Sequence, residues 1–255
     1  FHERYHVPQA KMPSGEYRQI TGNQAVAMGC VASSVQSGLS LFYASYPITP
    51  ASDVLHELAQ YRDFGIKTIQ SEDEIAAVSA AIGASFGGSL GITGTSGPGL
   101  DLKGEALGYA VMVELPLVVL NIQRGGPSTG LPTKTEQTDL LTAIHGRHGE
   151  APIPVVAPST PGESFYMVLE AFRIALKYMT PVILLSDGAL ANGAEPWMLP
   201  DMDSLPDLRP KFRTDPKGFT TCSRDLTNFV RDWAVPGTPG LEHRIGGLEK
   251  DQYSG

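Results

Sequence analysis

Glu72, Asp73 and Glu74 stand side by side in the stretch TIQSEDEIAAVSAAIGASFGG, residues 68–88. Part of this acidic row has an ordinary structural use. Ser71 followed three residues later by Glu74 fits a capping box with Ser71 as the N-cap. Acids in a first helical turn also favour the positive end of the helix dipole, by about 0.3–1 kcal/mol each. Capping does not account for the small residues behind the acids. Ala76, Ala77, Ala80, Ala81, Gly83, Ala84, Gly87 and Gly88 make a surface that another backbone can approach very closely, which a solvent-facing helix does not need. Three more clusters are rich in polar residues, glycine or proline: YPITP (46–50), TSGPG (95–99) and QRGGPSTG (123–130). Taken singly, each reads as an ordinary turn.

The elements between the clusters make that reading insufficient. The small-residue stretch 22–38 predicts a helix with Asn23 near its start and Gly38 as the C′ residue. Residues 39–50 predict a strand running into a Pro-rich turn. Apolar residues at 54, 55, 58 and 61 have helical spacing and Gly65 ends that helix. A strand at 66–71 leads into the helix that carries the acids. A strand at 89–99, a helix at 100–113 and a continuous apolar strand at 115–124 come next. After a polar loop with a short helix at 137–146 come a strand at 152–160, an amphipathic helix at 161–179 with Pro161 near its first turn, and a buried strand at 180–188. Strands alternating with helices predict an α/β fold, a parallel sheet with helices on both faces. In such sheets ligands bind outside the carboxyl ends of the strands, and all four clusters fall there. From residue 189 onward the periodicity is lost, and Gly/Pro-rich sequence predicts an extended arm that needs another surface to lie on.

The totals exclude several classes. A net charge of −8 and a pI near 5.2 argue against a large basic face for nucleic acid. Hydrophobic residues make up 42% of the 255 positions, enough for a sizeable core. The longest apolar stretch, around Val111 to Ile122, is interrupted by Glu114 and Pro116 and is too short to cross a membrane. Two cysteines, Cys30 and Cys222, suggest neither a disulfide framework nor a metal site, and point to a reducing, cytoplasmic compartment. The polar start at Phe1 and the end in GGLEKDQYSG read as a piece of a longer polypeptide.

The segments YPITPASDVLHELA, SEDEIAAVSAAIGASFGG, GTSGPGLDLKGEALGYAVMVELPLVVLNIQRGGPSTGLPTKTEQTDL and WAVPGTPGLEHRIGGLEK resemble the alpha subunit of 2-oxoacid:ferredoxin oxidoreductases, closest to the 2-oxoglutarate type. The similarity runs from about Thr21 to the end. It implies the pyrimidine-binding domain of a thiamine diphosphate enzyme over 21–195, preceded by a linker arm over 1–20 and followed by an extended arm over 196–255. In that family a carboxylate hydrogen-bonds N1′ of the cofactor's aminopyrimidine and favours the tautomer that removes the thiazolium C2 proton. Such a carboxylate works best beside an apolar wall, through a short and poorly solvated bond. The family spacing, nine residues before Gly83, gives Glu74 this catalytic role. Glu72 is the runner-up, and Asp73 is expected to be a solvated or capping acid.

The resemblance further implies cofactor contacts at Pro47, Ile48, Ser96 and Gly97, and substrate contacts at Thr49 and Arg124. A guanidinium suits bidentate carboxylate binding; a structural ion pair is the competing use of Arg124. Lys134 and Thr129 are candidates for the distal carboxylate of a dicarboxylic substrate. His145 and His148 are candidates for proton transfer or, more simply, for structural roles. The implied reaction converts 2-oxoglutarate and coenzyme A to succinyl-CoA and CO2 with reduction of ferredoxin. Pyruvate, branched-chain or aryl 2-oxo acids are alternatives, as is a non-catalytic scaffold. The Gly-Asp-Gly…Asn signature for diphosphate and Mg2+ is missing, and no Cys-x-x-Cys is present. The Mg2+, the diphosphate site and a [4Fe–4S] cluster are therefore expected on a partner beta subunit, in an (alpha-beta)2 assembly. A G-x-G-x-x-G dinucleotide site is not matched by GTSGPG.

Overall fold

The computed structural model describes residues 5–246. Six parallel strands form the central sheet: β2 (Leu41–Ser45), β3 (Ile66–Gln70), β4 (Leu90–Thr95), β5 (Leu117–Gln123), β6 (Val155–Val156) and β7 (Pro181–Asp187), in the order β3-β2-β4-β5-β7-β6. A separate two-stranded antiparallel ribbon joins β1 (Tyr17–Thr21) to β8 (Ala194–Met198). The expected α/β architecture is therefore present.

The strands read as continuous apolar runs because both sheet faces are covered. On β5, Val118 and Leu120 face one core with Val182 and Leu184 of β7. Leu117 and Val119 face the other with Ile183 and Leu185. The first core is closed by α1 (Gly22–Ser37), α2 (Ser52–Leu58) and α7 (Glu163–Tyr178). The second is closed by α3 (Glu74–Phe86), α4 (Gly97–Leu102), α5 (Gly104–Val113) and α6 (Leu140–His145). The small residues of α1 have a packing use. A Cβ at Gly29 would sit 2.7 Å from the Phe165 carbonyl oxygen and 3.0 Å from Val168 Cβ, so α1 and α7 touch backbone to backbone there.

Helix α1 is capped as a reciprocal pair. The Thr21 hydroxyl accepts from the Gln24 amide (3.3 Å), and the Gln24 side chain accepts from the Thr21 amide (3.2 Å). Gly38, at φ 70°, closes the helix as the left-handed C′ residue. The start of α3 corrects one expectation. Ser71 is not the cap: it is buried and its amide still bonds the Ser45 carbonyl (2.9 Å), continuing the β3–β2 ladder. Two more residues are needed to turn, and Asp73 becomes the N-cap, its Oδ1 accepting from the Ala76 amide at 2.7 Å. Glu74 is then the first helical residue, and its side chain is free to turn inward.

Other boundaries shift as well. The strand expected over 152–160 contracts to Val155–Val156. Pro152, Pro154 and Pro158 bring no amide hydrogen to a ladder. The helix expected over 100–113 breaks at Lys103 into α4 and α5. The arm read over 1–20 ends in β1, and the sequence assigned to the later arm begins with part of β8. Residues 199–246 contain no long element and lie in part against the sheet domain itself. Val235 packs against Gly88, the rings of Phe86 and His243 meet edge to face at 5.6 Å, and Arg224 forms an ion pair with Glu114 (2.7 Å). Among the described residues no helix is long and apolar enough to cross a membrane.

Candidate functional site

The connections of the sheet select one crevice. From β2 the chain crosses to β3 on one side. From β4 it crosses to β5 on the other. The loops leaving β2 and β4 therefore diverge, and the gap between them is the topological switch point where open α/β sheets bind ligands. The loop after β2 is Tyr46–Pro50 and the turn after β4 is Ser96–Gly99. Glu74, at the start of α3, faces this second turn.

Glu74 is 7% exposed, whereas Glu72 and Asp73 are exposed. Its side chain lies against Gly99 with no room to spare. A Cβ added at Gly99 would come within 2.8 Å of both Glu74 Cγ and Oε1 and would collide with Thr95 Oγ1. Only glycine lets the carboxyl group and the α4 backbone share this space. Behind it lie Ala77, Val78 and Ala81, all at the core and without polar atoms in their side chains. The row of three acids thus divides its work: Glu72 faces solvent, Asp73 caps, and Glu74 is buried.

Arg124, at the end of β5, is 8% exposed and clamps two loops. One terminal nitrogen donates to the Thr49 carbonyl (2.8 Å) and the other to the Thr129 carbonyl (2.6 Å). The Asn23 amide at the start of α1 donates to the next carbonyl, that of Pro50, at 2.9 Å. The YPITP loop is therefore pinned through its main chain from two elements. Burial lowers the Arg124 pKa and the negative charge of Glu74 raises it, so the two side chains lie in one electrostatic field. The expected ion-pair alternative for Arg124 is replaced by this carbonyl clamp, which leaves its Nε, a buried donor, without a partner.

The other expected residues gather unevenly. Pro47 and Thr49 are exposed on the loop, and Ile48 packs with Ala51, Ile122 and Ala191 in a small cluster of its own. Ser96 is fully buried and its hydroxyl has no partner, while Gly97 lies beneath the Asp139 carboxylate. Lys134 is exposed; its backbone closes the 125–134 loop by accepting from Gly125 (2.8 Å). His145 and His148 are exposed at the end of α6 and beyond it, away from Glu74's partners.

Sequence reasoning missed a polar ladder under this loop. Asn121 donates to Asp139 (2.8 Å), and the Asp139 amide donates to Gln123 (3.0 Å). Gln123 in turn donates to the Ser186 carbonyl (3.1 Å), and Gln137 donates to Asp187 (2.6 Å). The only signal for it was two amides, Asn121 and Gln123, in an otherwise apolar strand. Buried amides of that kind are normally hydrogen-bonded, and here they tie the 125–139 loop to the sheet edge.

The residues of the crevice fit the aminopyrimidine half of thiamine diphosphate. They offer a buried carboxyl group, an orphaned hydroxyl at Ser96 and a glycine-lined turn at the switch point, which suit a flat heterocycle with polar edges. Among the described residues no cluster of three or more His, Cys, Asp or Glu could hold a metal ion.

Comparison with known proteins gives a consistent result. The family described as "Pyruvate flavodoxin/ferredoxin oxidoreductase, thiamine diP-bdg" matches residues 34–254. The 2-oxoglutarate oxidoreductase subunit KorA of Mycobacterium tuberculosis is 56% identical over 255 residues, covering 100% of this chain and 39% of that protein. The 2-oxoglutarate synthase subunit KorA of Archaeoglobus fulgidus is 44% identical over 191 residues, 74% of this chain and 54% of that protein. The solved 2-oxoglutarate:ferredoxin oxidoreductase of Magnetococcus marinus, with 2-oxoglutarate, coenzyme A and succinyl-CoA bound, superposes with a TM-score of 0.88 at 37% identity, over 99% of this chain and 43% of that one. The chain thus spans less than two thirds of each of these proteins. A family match over most of the sequence, with the buried Glu74 at the switch point, leads to one conclusion: the chain belongs to the thiamine diphosphate-binding domain family of pyruvate flavodoxin/ferredoxin oxidoreductases.

Proposed function

We infer that this chain supplies the aminopyrimidine-binding half of a thiamine diphosphate-dependent 2-oxoglutarate:ferredoxin oxidoreductase that forms succinyl-CoA, CO2 and reduced ferredoxin. The observation that carries the reading is Glu74: a carboxyl group buried between an apolar helix face and the Gly99 turn, at the switch point of the sheet. Similarity over the whole chain to a protein named 2-oxoglutarate oxidoreductase subunit KorA supports the substrate. Thiamine diphosphate, when bound, supplies the nucleophilic carbon and the electron sink for decarboxylation. Glu74 holds a proton at N1′ of the aminopyrimidine in surroundings where a hydrogen bond is little weakened by water. Ser96 and Gly97 flank it, and Pro47 and Ile48 of the pinned loop lie on the opposite lip of the crevice. Thr49 offers a hydroxyl to the substrate carboxylate. Arg124 acts through its grip on the Thr49 carbonyl, which positions the threonine for that carboxylate.

Mg2+, the diphosphate ligands and a [4Fe–4S] cluster belong, on this reading, to a beta subunit, in an (alpha-beta)2 assembly in a cytoplasmic setting. The test is reconstitution of the full-length protein with that partner, and then assay of 2-oxoglutarate- and coenzyme A-dependent reduction of ferredoxin or a dye. Absence of 2-oxo acid-dependent reduction by a cofactor-loaded complex overturns the reading. A preference for pyruvate or a branched-chain acid keeps the family chemistry and replaces the substrate.

The division of the site between two subunits has measurable effects. The chain alone should bind thiamine diphosphate with a Kd weaker than about 1 µM, because the carboxyl contact is only one end of the cofactor. Calorimetry giving tighter binding would place a diphosphate site on this chain. Lys134→Met should lower kcat/KM for 2-oxoglutarate by about 2- to 5-fold, the scale of an exposed charge pair, and leave 2-oxobutyrate unchanged. Paired kcat/KM values decide it: equal losses on both acids would make Lys134 a general electrostatic contributor.

A further inference from the structure

Lys103 is 0% exposed, although lysine is almost never fully buried unless paired. Among the described residues it forms no ion pair. Its ammonium donates instead to a main-chain oxygen, the carbonyl of Glu74, at 2.9 Å. The location makes the burial harder to explain as packing. The first turn of α3 is the positive end of a helix dipole, where a second positive charge is unfavourable. A methionine would fill the same volume without that cost.

We propose that Lys103 is a positioning residue for Glu74, its charged end fixing the first turn of α3 so that the Glu74 carboxyl group stays against Gly99. The proposal rests on the proposed role of Glu74 and deepens it. Lys103 occupies the break between α4 and α5, as the last cap of one helix and the first of the next. Helix α4 begins in the Ser96–Gly99 turn that Glu74 touches. Glu74 is therefore held from two points of one rigid unit: Gly99 bounds its side chain, and Lys103 bonds its main chain. A rotation of α3 that would lift the carboxyl group from the turn must first break the Lys103 bond.

The charges around Lys103 fit this role. Burial brings its pKa down to about 8, against the negative charges of Glu74 and of the N-cap Asp73, which raise it. Asp101 on α4 and Glu105 on α5 flank it in the chain and are exposed. Arg124 lies beyond Glu74 and senses the same carboxylate. Lys103 therefore carries its charge at neutral pH and loses it near pH 8, within the working range of an assay.

The test compares wild type, Lys103→Met, Lys103→Arg and Glu74→Gln in the assembled complex. The readouts are kcat and KM for 2-oxoglutarate from about pH 6 to 10, a span that brackets the lysine's titration, and thiamine diphosphate binding by calorimetry. In the wild type, kcat should fall as pH rises through about 8. Lys103→Met should lose about 10- to 100-fold in kcat at neutral pH, as a misplaced catalytic group does. Its KM for 2-oxoglutarate and its cofactor Kd should stay within about threefold, since neither ligand touches the lysine. Its alkaline limb near pH 8 should be gone. Lys103→Arg, which stays charged, should recover kcat and move the limb to higher pH. Wild-type kcat in Lys103→Met, or a wild-type alkaline limb in either variant, overturns the proposal. If Lys103→Met does not assemble, the limb in Lys103→Arg decides alone. Wild-type turnover in Glu74→Gln would instead overturn the reading of Glu74. Loss in Glu74→Gln with none in Lys103→Met rejects only the positioning role.

Discussion

Glu74→Gln is expected to reduce turnover by roughly 10²- to 10⁴-fold, the range spanned by a positioned acid–base group. The amide keeps the shape of the side chain, so the contacts with Gly99 and the α3 helix survive, and the melting temperature should barely move. What is lost is the ability to hold or release a proton at the buried end. Cofactor affinity, measured separately on the complex, should change far less than kcat. The companion variant is Glu72→Gln. Glu72 is exposed two residues earlier, and surface substitutions of this kind usually lie within about 0.5 kcal/mol of neutral. Full activity in Glu74→Gln together with loss in Glu72→Gln would transfer the role to Glu72 and make the burial of Glu74 a matter of packing.

Gly99→Ala should be nearly as damaging, although it adds one methyl group. The new Cβ meets Thr95 Oγ1 and, at 2.8 Å, both Cγ and Oε1 of Glu74. Thr95 ends a buried strand and is fully enclosed, so it yields little. The Glu74 side chain is the more flexible neighbour and must swing away. A displacement of about 1 Å in a catalytic group can cost about 10²-fold in rate, and overpacking typically costs about 1–3 kcal/mol of stability. The discriminating measurement is the double variant. In a Glu74→Gln background, Gly99→Ala should cost little further activity, because both changes act through one group. Losses that multiply would show that Gly99 serves the site by another route.

Much of this arrangement was legible in the order of residues. Val118, Val119 and their neighbours form an unbroken apolar run, which only a strand covered on both faces needs. Gly38 marked the end of α1, whereas the helix expected to run to Gly65 stops at Leu58 and Gly65 closes a separate 3-10 turn at Arg62–Phe64; both glycines have positive φ, the left-handed conformation that favours glycine. The candidate carboxylate was indicated by the family resemblance, whose spacing to Gly83 points to Glu74, and its inward turn was not legible. That turn depends on Ser71 remaining in the β3 ladder, a tertiary contact that local capping preferences cannot see. The burial of Lys103 is not legible in the sequence, where a lysine between Asp101 and Glu105 reads as part of a solvated face. β8 was missed because AEPWM contains a proline and pairs with a strand at the opposite end of the domain. The arm after it has no period to read. Its buried apolar residues, among them Leu208, Trp233 and Leu241, are widely spaced and become meaningful only against a finished surface.

The pairing of Tyr17 with Met198 and of Thr21 with Ala194 brings the two ends of the sheet domain side by side. A unit whose boundaries are sewn together in this way behaves as a cassette. It can be spliced into a longer polypeptide, or carried from one subunit arrangement to another, without its neighbours having to span the sheet. Changes in the chain that enters and leaves at this seam are then accommodated while Glu74, Gly99 and the loops around them keep their mutual geometry.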